Sequence, residues 1–182
     1  MRYSIFILIF FLVSCSNEKI NSDKTNSVKN QFKYLFSEKV SFTINENWVK
    51  LSSKPNLFYA YQKTKNEGFK DFIPTFTIEK HTQIEAFDQF LNDAINSIKS
   101  LHTSFVITEL KEYRVNYFDN SFIIKSEYSH KGIRLKTILG FLKRHDDSTC
   151  YVFTGTISMN KNEDYNSVLK QYENIILTAN KK

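Results

Sequence analysis

Glycine and proline are scarce, with four and two in 182 residues. That scarcity excludes a collagenous or linker-like chain and argues against a Gly-rich phosphate cradle. Cysteine is nearly absent, at positions 15 and 150 alone. Long apolar runs are missing too. Outside residues 4–13 no stretch approaches the roughly 20 apolar residues that cross a bilayer as a helix. Arginine is also rare: Arg2, Arg114, Arg134 and Arg144 stand among 25 basic side chains. Guanidinium forks suit bidentate recognition of phosphate and guanine, whereas lysine is a hydrated point charge. A net charge of +6 and a pI of about 9.1 therefore read as a lysine-rich solvated surface. Nucleic acid is not an expected partner.

What the chain does have is aromatic mass. It carries 17 Phe and 10 Tyr, and 41% of its residues are hydrophobic, which is enough for a real core. The length suits one domain with an N-terminal appendage.

That appendage has its own grammar. Arg2 and the initiator amine make a small positive region, followed by the apolar stretch SIFILIFFLV. The stretch is too short for a stable span and has the length of a secretory signal. It ends Leu12-Val13-Ser14-Cys15. This resembles the bacterial lipobox: an aliphatic residue, a small or β-branched residue, a small residue, then cysteine. The Cys15 thiol can take a diacylglyceryl thioether, and a small Ser14 gives a peptidase access to the bond before it. The freed Cys15 amine can then be acylated. Each buried methylene contributes about 0.8 kcal/mol, so two or three chains make a lasting anchor. The expected host is bacterial. Ser16, not an acidic residue, follows the cysteine, and by resemblance to sorting rules this favours the outer membrane. With Cys15 acylated, Cys150 stands alone and no intramolecular disulfide is expected. Cys150 lies in an apolar strand pattern and reads as a small buried residue.

Residues 1–14 are thus expected to be a lipoprotein signal peptide. Residues 15–34 are the lipidated cysteine and a tether rich in Ser, Asn, Lys and Thr. Its 19 residues beyond the cysteine have an r.m.s. span of roughly 24 Å. Residues 35–182 form the folded domain.

Within that domain FSEKVSFTI alternates as a half-buried strand from Phe36. Asn45-Glu46-Asn47 turns the chain before Trp48, and a short strand from Val49 to Ser52 is followed by LFYAYQKT. After the loop KNEGFKD, FIPTFTIEK reads as a strand whose Pro74 suggests an edge or a bulge. A helix spans 83–101, opened by Thr82-Gln83-Ile84-Glu85 as a capping box. Its apolar stripe is Ile84, Phe87, Phe90, Leu91, Ala94, Ile95, Ile98 and Leu101. Four strands follow, at 104–115, 121–130, 133–143 and 149–158. The turns between them are Asp119-Asn120, Lys131-Gly132 and His145–Ser148, short enough for antiparallel hairpins. A last helix begins after Asn160, with the stripe Tyr165, Val168, Leu169, Tyr172, Ile175, Ile176 and Ala179. The expected class is α+β: an antiparallel sheet with two amphipathic helices packed on it.

The stretch FTINENW, the helix IEAFDQFLNDAINSIKSL, the meander of long strands and the closing helix YNSVLKQYENII together resemble the PsbP-like fold. This α/β/α sandwich occurs in plant photosystem subunits, a Ran-binding transport factor and bacterial DcrB-like lipoproteins. The resemblance covers about residues 36–179. It implies binding and accessory roles more than catalysis.

Chemistry-bearing motifs are few. His81, His102, His130 and His145 show no metal-ligand spacing with each other or with cysteine. His130 and His145 are expected far apart, at opposite ends of a hairpin. Asp146-Asp147-Ser148 offers hard-cation ligands but reads more simply as a loop. Neither a G-x-S-x-G nor a Walker motif is present. No catalytic residue, metal or cofactor is expected.

The positive hint is a run of bases, Lys131, Arg134, Lys136, Lys143 and Arg144, with no acid between residues 128 and 145. It could meet anionic headgroups or an acidic partner; the plainer reading is a solvated sheet edge. The expectation is a lipid-anchored, non-enzymatic envelope protein, tied to the membrane through its N-terminus, with a partner-binding or accessory role. A small-ligand-binding or hydrolytic module with an unseen cleft, and a purely structural envelope role, remain as alternatives.

Both helical stripes are open to a direct test. Phe90→Asp or Ile175→Asp should unfold the domain by placing an unpaired charge in a core stripe, so thermal melting followed by circular dichroism should lose its transition.

Overall fold

The computed structural model describes residues 33–36, 40–44, 48–50, 57–61, 73–102, 104–115, 117–159 and 165–181. The signal segment, Cys15 and the tether up to residue 32 lie outside the described residues. So do the Asn45–Asn47 turn, the KNEGFKD loop and the start of the last helix at 160–164.

The chain runs β1 (Lys33–Phe36), β2 (Val40–Ile44), β3 (Trp48–Lys50), β4 (Leu57–Tyr61), β5 (Thr75–His81) and α1 (Phe87–Leu101). It continues through β6 (Val106–Tyr113), β7 (Phe118–His130), β8 (Ile133–Arg144), β9 (Cys150–Ser158), α2 (Tyr165–Leu177) and β10 (Asn180–Lys181). Seven strands pair antiparallel in the order β3-β4-β5-β9-β8-β7-β6. A small second sheet has the order β1-β2-β10. The α+β class with two packed helices is as expected.

The period of two along each strand sends alternate residues to two separate cores. On one face Ile124, Leu139, Phe141, Cys150 and Val152 meet the α1 stripe of Phe87, Phe90, Leu91, Ala94, Ile95 and Ile98. On the other, Phe76, Ile78, Ile123, Ile138, Leu142, Tyr151, Phe153 and Ile157 meet α2 through Val168, Leu169, Tyr172, Ile175 and Ile176. Val40, Phe42 and Ile44 of the small sheet complete this second core.

The seat of α2 is specific. A Cβ on Gly155 would lie 2.8 Å from the Tyr172 ring, and one on Gly140 would lie 2.8 Å from Ile176. Both positions must therefore lack a side chain for the helix to lie this close. Tyr172 packs tilted against Trp48 and edge-on to Phe76 and Phe153, with ring centroids 5.3, 6.3 and 5.7 Å away. Its hydroxyl donates towards the carbonyls of Thr75 and Thr156, each at 2.8 Å. The one hydroxyl proton is shared between the two carbonyls, a contribution of about 0.5–1.5 kcal/mol in all. Complete burial pushes the phenol pKa well above its usual value.

Four local expectations are corrected. The helix does not open at a capping box. Gln83 sits at φ 61°, Ile84 donates its N–H to the Ser148 carbonyl at 2.7 Å, and α1 begins at Phe87 without a side-chain cap. A tertiary hydrogen bond to the β8–β9 loop has overridden a local motif. Asp119 and Asn120 are not a turn but part of β7, beside an irregularity in its pairing with β8. The chain reverses earlier, through Tyr117 at φ 76° and a Phe118 N–H to Val115 carbonyl bond of 3.1 Å. Pro74 does not mark an edge. It is buried just before β5, which pairs on both sides, and from there it owes no donor to the ladder. The opening strand is split in two, because Lys33–Phe36 folds back antiparallel on Val40–Ile44. By contrast the Lys131-Gly132 turn is as expected, with φ values of 49° and 79° that suit a two-residue hairpin.

Gly155→Ala should destabilise the domain by about 1–3 kcal/mol through overpacking against Tyr172. Urea unfolding should show a lower midpoint with an unchanged slope.

Candidate functional site

The five predicted bases do not form one face. Lys131, Arg134 and Lys136 sit at the β7–β8 turn, and Lys143 and Arg144 at the far end of β8. Lys143 lies nine positions beyond Arg134 along β8, or roughly 30 Å at 3.3 Å per residue. Acids from elsewhere in the fold also meet them. Glu127 on β7 lies opposite Lys136 and pairs with it at 3.2 Å and with Arg134 at 3.4 Å. Arg134 stays open, at 69% side-chain exposure.

Arg144 is the clearest departure, at 2% exposure. Its guanidinium contacts Asp146, pairs with Asp147 at 2.9 Å, bonds the Tyr117 hydroxyl at 3.3 Å and lies 5.6 Å from the Tyr117 ring centre. Burial opposes its charge, but the Tyr117 hydroxyl and the two carboxylates outweigh that cost and hold its pKa above the usual value. The Tyr117 hydroxyl and then Arg144 hold the Asp146 carboxyl below its usual range. His145 contacts Asp119 across the same end. The pair Asp146-Asp147 therefore ties a loop to the end of β8, and among the described residues no acidic, His and Cys cluster fit for a metal forms.

Cys150 is fully buried, and desolvation pushes its thiol pKa up to about 12, which suits a packing residue and not a nucleophile.

Sequence spacing missed two features that only strand register brings together. The first is a rung of hydroxyls on the α1 side of the sheet: Thr75, Thr156, Thr137 and Ser126 are successive partners across β5, β9, β8 and β7. Thr77, Thr154 and Ser158 flank it. Burial pushes the neighbouring Tyr128 phenol pKa above its usual value. The readable signal was the alternation Thr154-x-Thr156-x-Ser158 beside Thr75-x-Thr77. The second feature is a histidine pair. His102 follows α1 and stacks on Tyr128 at 4.2 Å, with His130 edge-on at 6.1 Å. His102 is buried, at 5% exposure. Desolvation, and then His130, lower its pKa. His130 and His145 do lie at opposite ends, as expected. A recess of about 20 Å³ at the start of α1, lined by Gln83, Ile84, Ala86 and Phe90 among others, has room for about one water.

No protein-family model and no curated protein sequence matches the chain. Solved structures do. The Ran-binding protein Mog1p of Saccharomyces cerevisiae is similar at TM-score 0.62 and 10% identity, over 85% of this chain and 96% of that one. LpqN of Mycobacterium tuberculosis, described as involved in cell envelope biogenesis, is similar at TM-score 0.59 and 13% identity, over 84% and 91%. A Pseudomonas aeruginosa protein of unknown function, PA94, is similar at 0.52 and 11%, over 79% and 94%. At these identities the likeness establishes a shared fold.

The lowered His102 pKa sets a pH dependence. The unfolded imidazole takes a proton near pH 6.5 while the folded one resists it. The stability His102 contributes is therefore present above that pH and lost as pH falls through the folded value. Denaturant midpoints measured from pH 8 down to pH 5 should fall for the wild type and fall less for His102→Phe.

Proposed function

We propose that the chain is a lipid-anchored protein of a bacterial envelope whose domain binds a protein partner in a non-enzymatic role. The observation that carries this is Leu12-Val13-Ser14-Cys15 directly behind a ten-residue apolar stretch. Residues 1–14 would be removed, Cys15 acylated, and the residues from 16 to the start of β1 at Lys33 would hold the domain within a few nanometres of the membrane. Ser16 favours the outer membrane. The fold supports the partner-binding part: Mog1p binds Ran, and LpqN is described as involved in cell envelope biogenesis. Among the described residues no helix is long and apolar enough to cross a membrane. Of the basic residues, Lys131, Arg134 and Lys143 keep exposed or half-exposed positions for an anionic partner. Arg144 is withdrawn into the fold, and Lys136 shares Glu127 with Arg134.

A small-ligand-binding module is the second reading, favoured by the hydroxyl rung. Ser126 is fully buried within it, and its Oγ has no hydrogen-bond partner among the described residues.

Metabolic labelling with a clickable fatty acid tests the anchor. The wild type should incorporate label and start at an acylated Cys15 by mass spectrometry. Cys15→Ser should lose the label and accumulate as the larger precursor. Equal labelling of both proteins would overturn the assignment.

A further inference from the structure

β6 is the terminal strand of the seven-stranded sheet, and β7 is its one strand partner among the described residues. The opposite terminal strand, β3, has three residues, while β6 has eight. A long terminal strand presents a row of backbone donors and acceptors to any strand of matching register. Exposed apolar side chains are found on β6 and just before it: Leu101 at the end of α1, 53% exposed, Leu110 on the α1 side of β6, 53%, and Val106 on its α2 side, 59%. These are three of the five large hydrophobic side chains exposed among the described residues.

The sequence of β6 fits itself. In an antiparallel pairing with a two-fold copy centred on Leu110, that side chain meets the partner's Leu110 on the α1 side. Glu109 then meets the partner's Lys111, and symmetry repeats the pair. Both residues project to the α2 side, where Glu109 reaches Lys125 at 2.9 Å and Lys111 lies 4.9 Å from the centre of the Tyr113 ring. Two cross-strand ion pairs and a central apolar contact arise from one register, and a shift by one residue sets Lys111 or Glu109 against its own copy or sends side chains to the wrong face. The irregularity between Ile107 and Glu109 confines regular pairing to Glu109–Tyr113. The contact is therefore small, and because it is two-fold it closes at two copies.

We infer that β6 is a self-association edge, through which two copies of this chain join their sheets antiparallel about Leu110. This stands independently of the lipid anchor and of any envelope partner.

Sedimentation equilibrium of the full-length chain in a density-matched nonionic detergent tests it. The wild type should show a reversible monomer–dimer equilibrium weakened by salt. Lys111→Glu and Glu109→Lys should each weaken dimerisation about tenfold, because each sets two like-charge pairs across the axis. The double exchange Glu109→Lys with Lys111→Glu should restore it. Leu110→Lys, at an exposed position, should weaken it without altering the melting temperature, which keeps the test valid if a charge exchange disturbs Lys125. A wild type that stays monomeric up to roughly 1 mM, or a dimer indifferent to all four variants, would overturn the inference.

Discussion

Tyr172 stands on a strip of sheet without side chains, and much of the molecule is arranged around that fact. Gly155 and Gly140 are neighbours on adjacent strands, and both lie beneath α2. They let the helix settle closely enough for a phenol to reach past its own core to two strand carbonyls. Trp48, Phe76 and Phe153 then fill the space around the ring, and the Trp48 indole N–H donates to Gln171 on α2 at 3.2 Å. The scarcity of glycine is thus a matter of placement. Two of the four are used where a backbone must be approached face-on.

What was legible follows from range. Both helical stripes, the long strands and the Lys131-Gly132 hairpin depend on residues within a few positions of one another, and periodicity reports them directly. The α+β class followed, because two one-sided helices need a sheet between them. Errors arose where a distant group decided a local outcome. Thr82–Glu85 has the composition of a helix start, yet the Ser148 carbonyl, some 64 residues on, captures the Ile84 amide. Leu101 belongs to the stripe by spacing, but α1 ends there and the side chain points to solvent. The hydroxyl rung and the His102–Tyr128–His130 stack are products of strand register, which a single sequence does not state.

Charge shows the same division. Lys136 and Arg134 lie in a stretch with no acid, and along the chain they read as an unbalanced patch. Across the sheet they share one acid, since Glu127 is the cross-strand partner of Lys136 and also reaches Arg134. Arg144 goes further. Its neighbours Asp146 and Asp147 fold back over it, and a buried guanidinium becomes the clamp between the β8–β9 loop and the turn at Tyr117. A run of like charges along one strand describes a surface only after the adjacent strands are known.

The pairing of β10 with β2 has a consequence for how such a chain is made. Asn180 and Lys181 lie opposite Ser41 and Val40, about 139 positions apart. The small sheet can close only after residue 181 has been made, and α2, which walls the second core, is made after all seven strands of the main sheet. Pairings between residues so far apart in sequence close slowly, because the entropy of the long loop is lost first. Until α2 is made, the second core lacks one wall, and the apolar faces of β2, β5, β8 and β9 beneath it stay open to solvent.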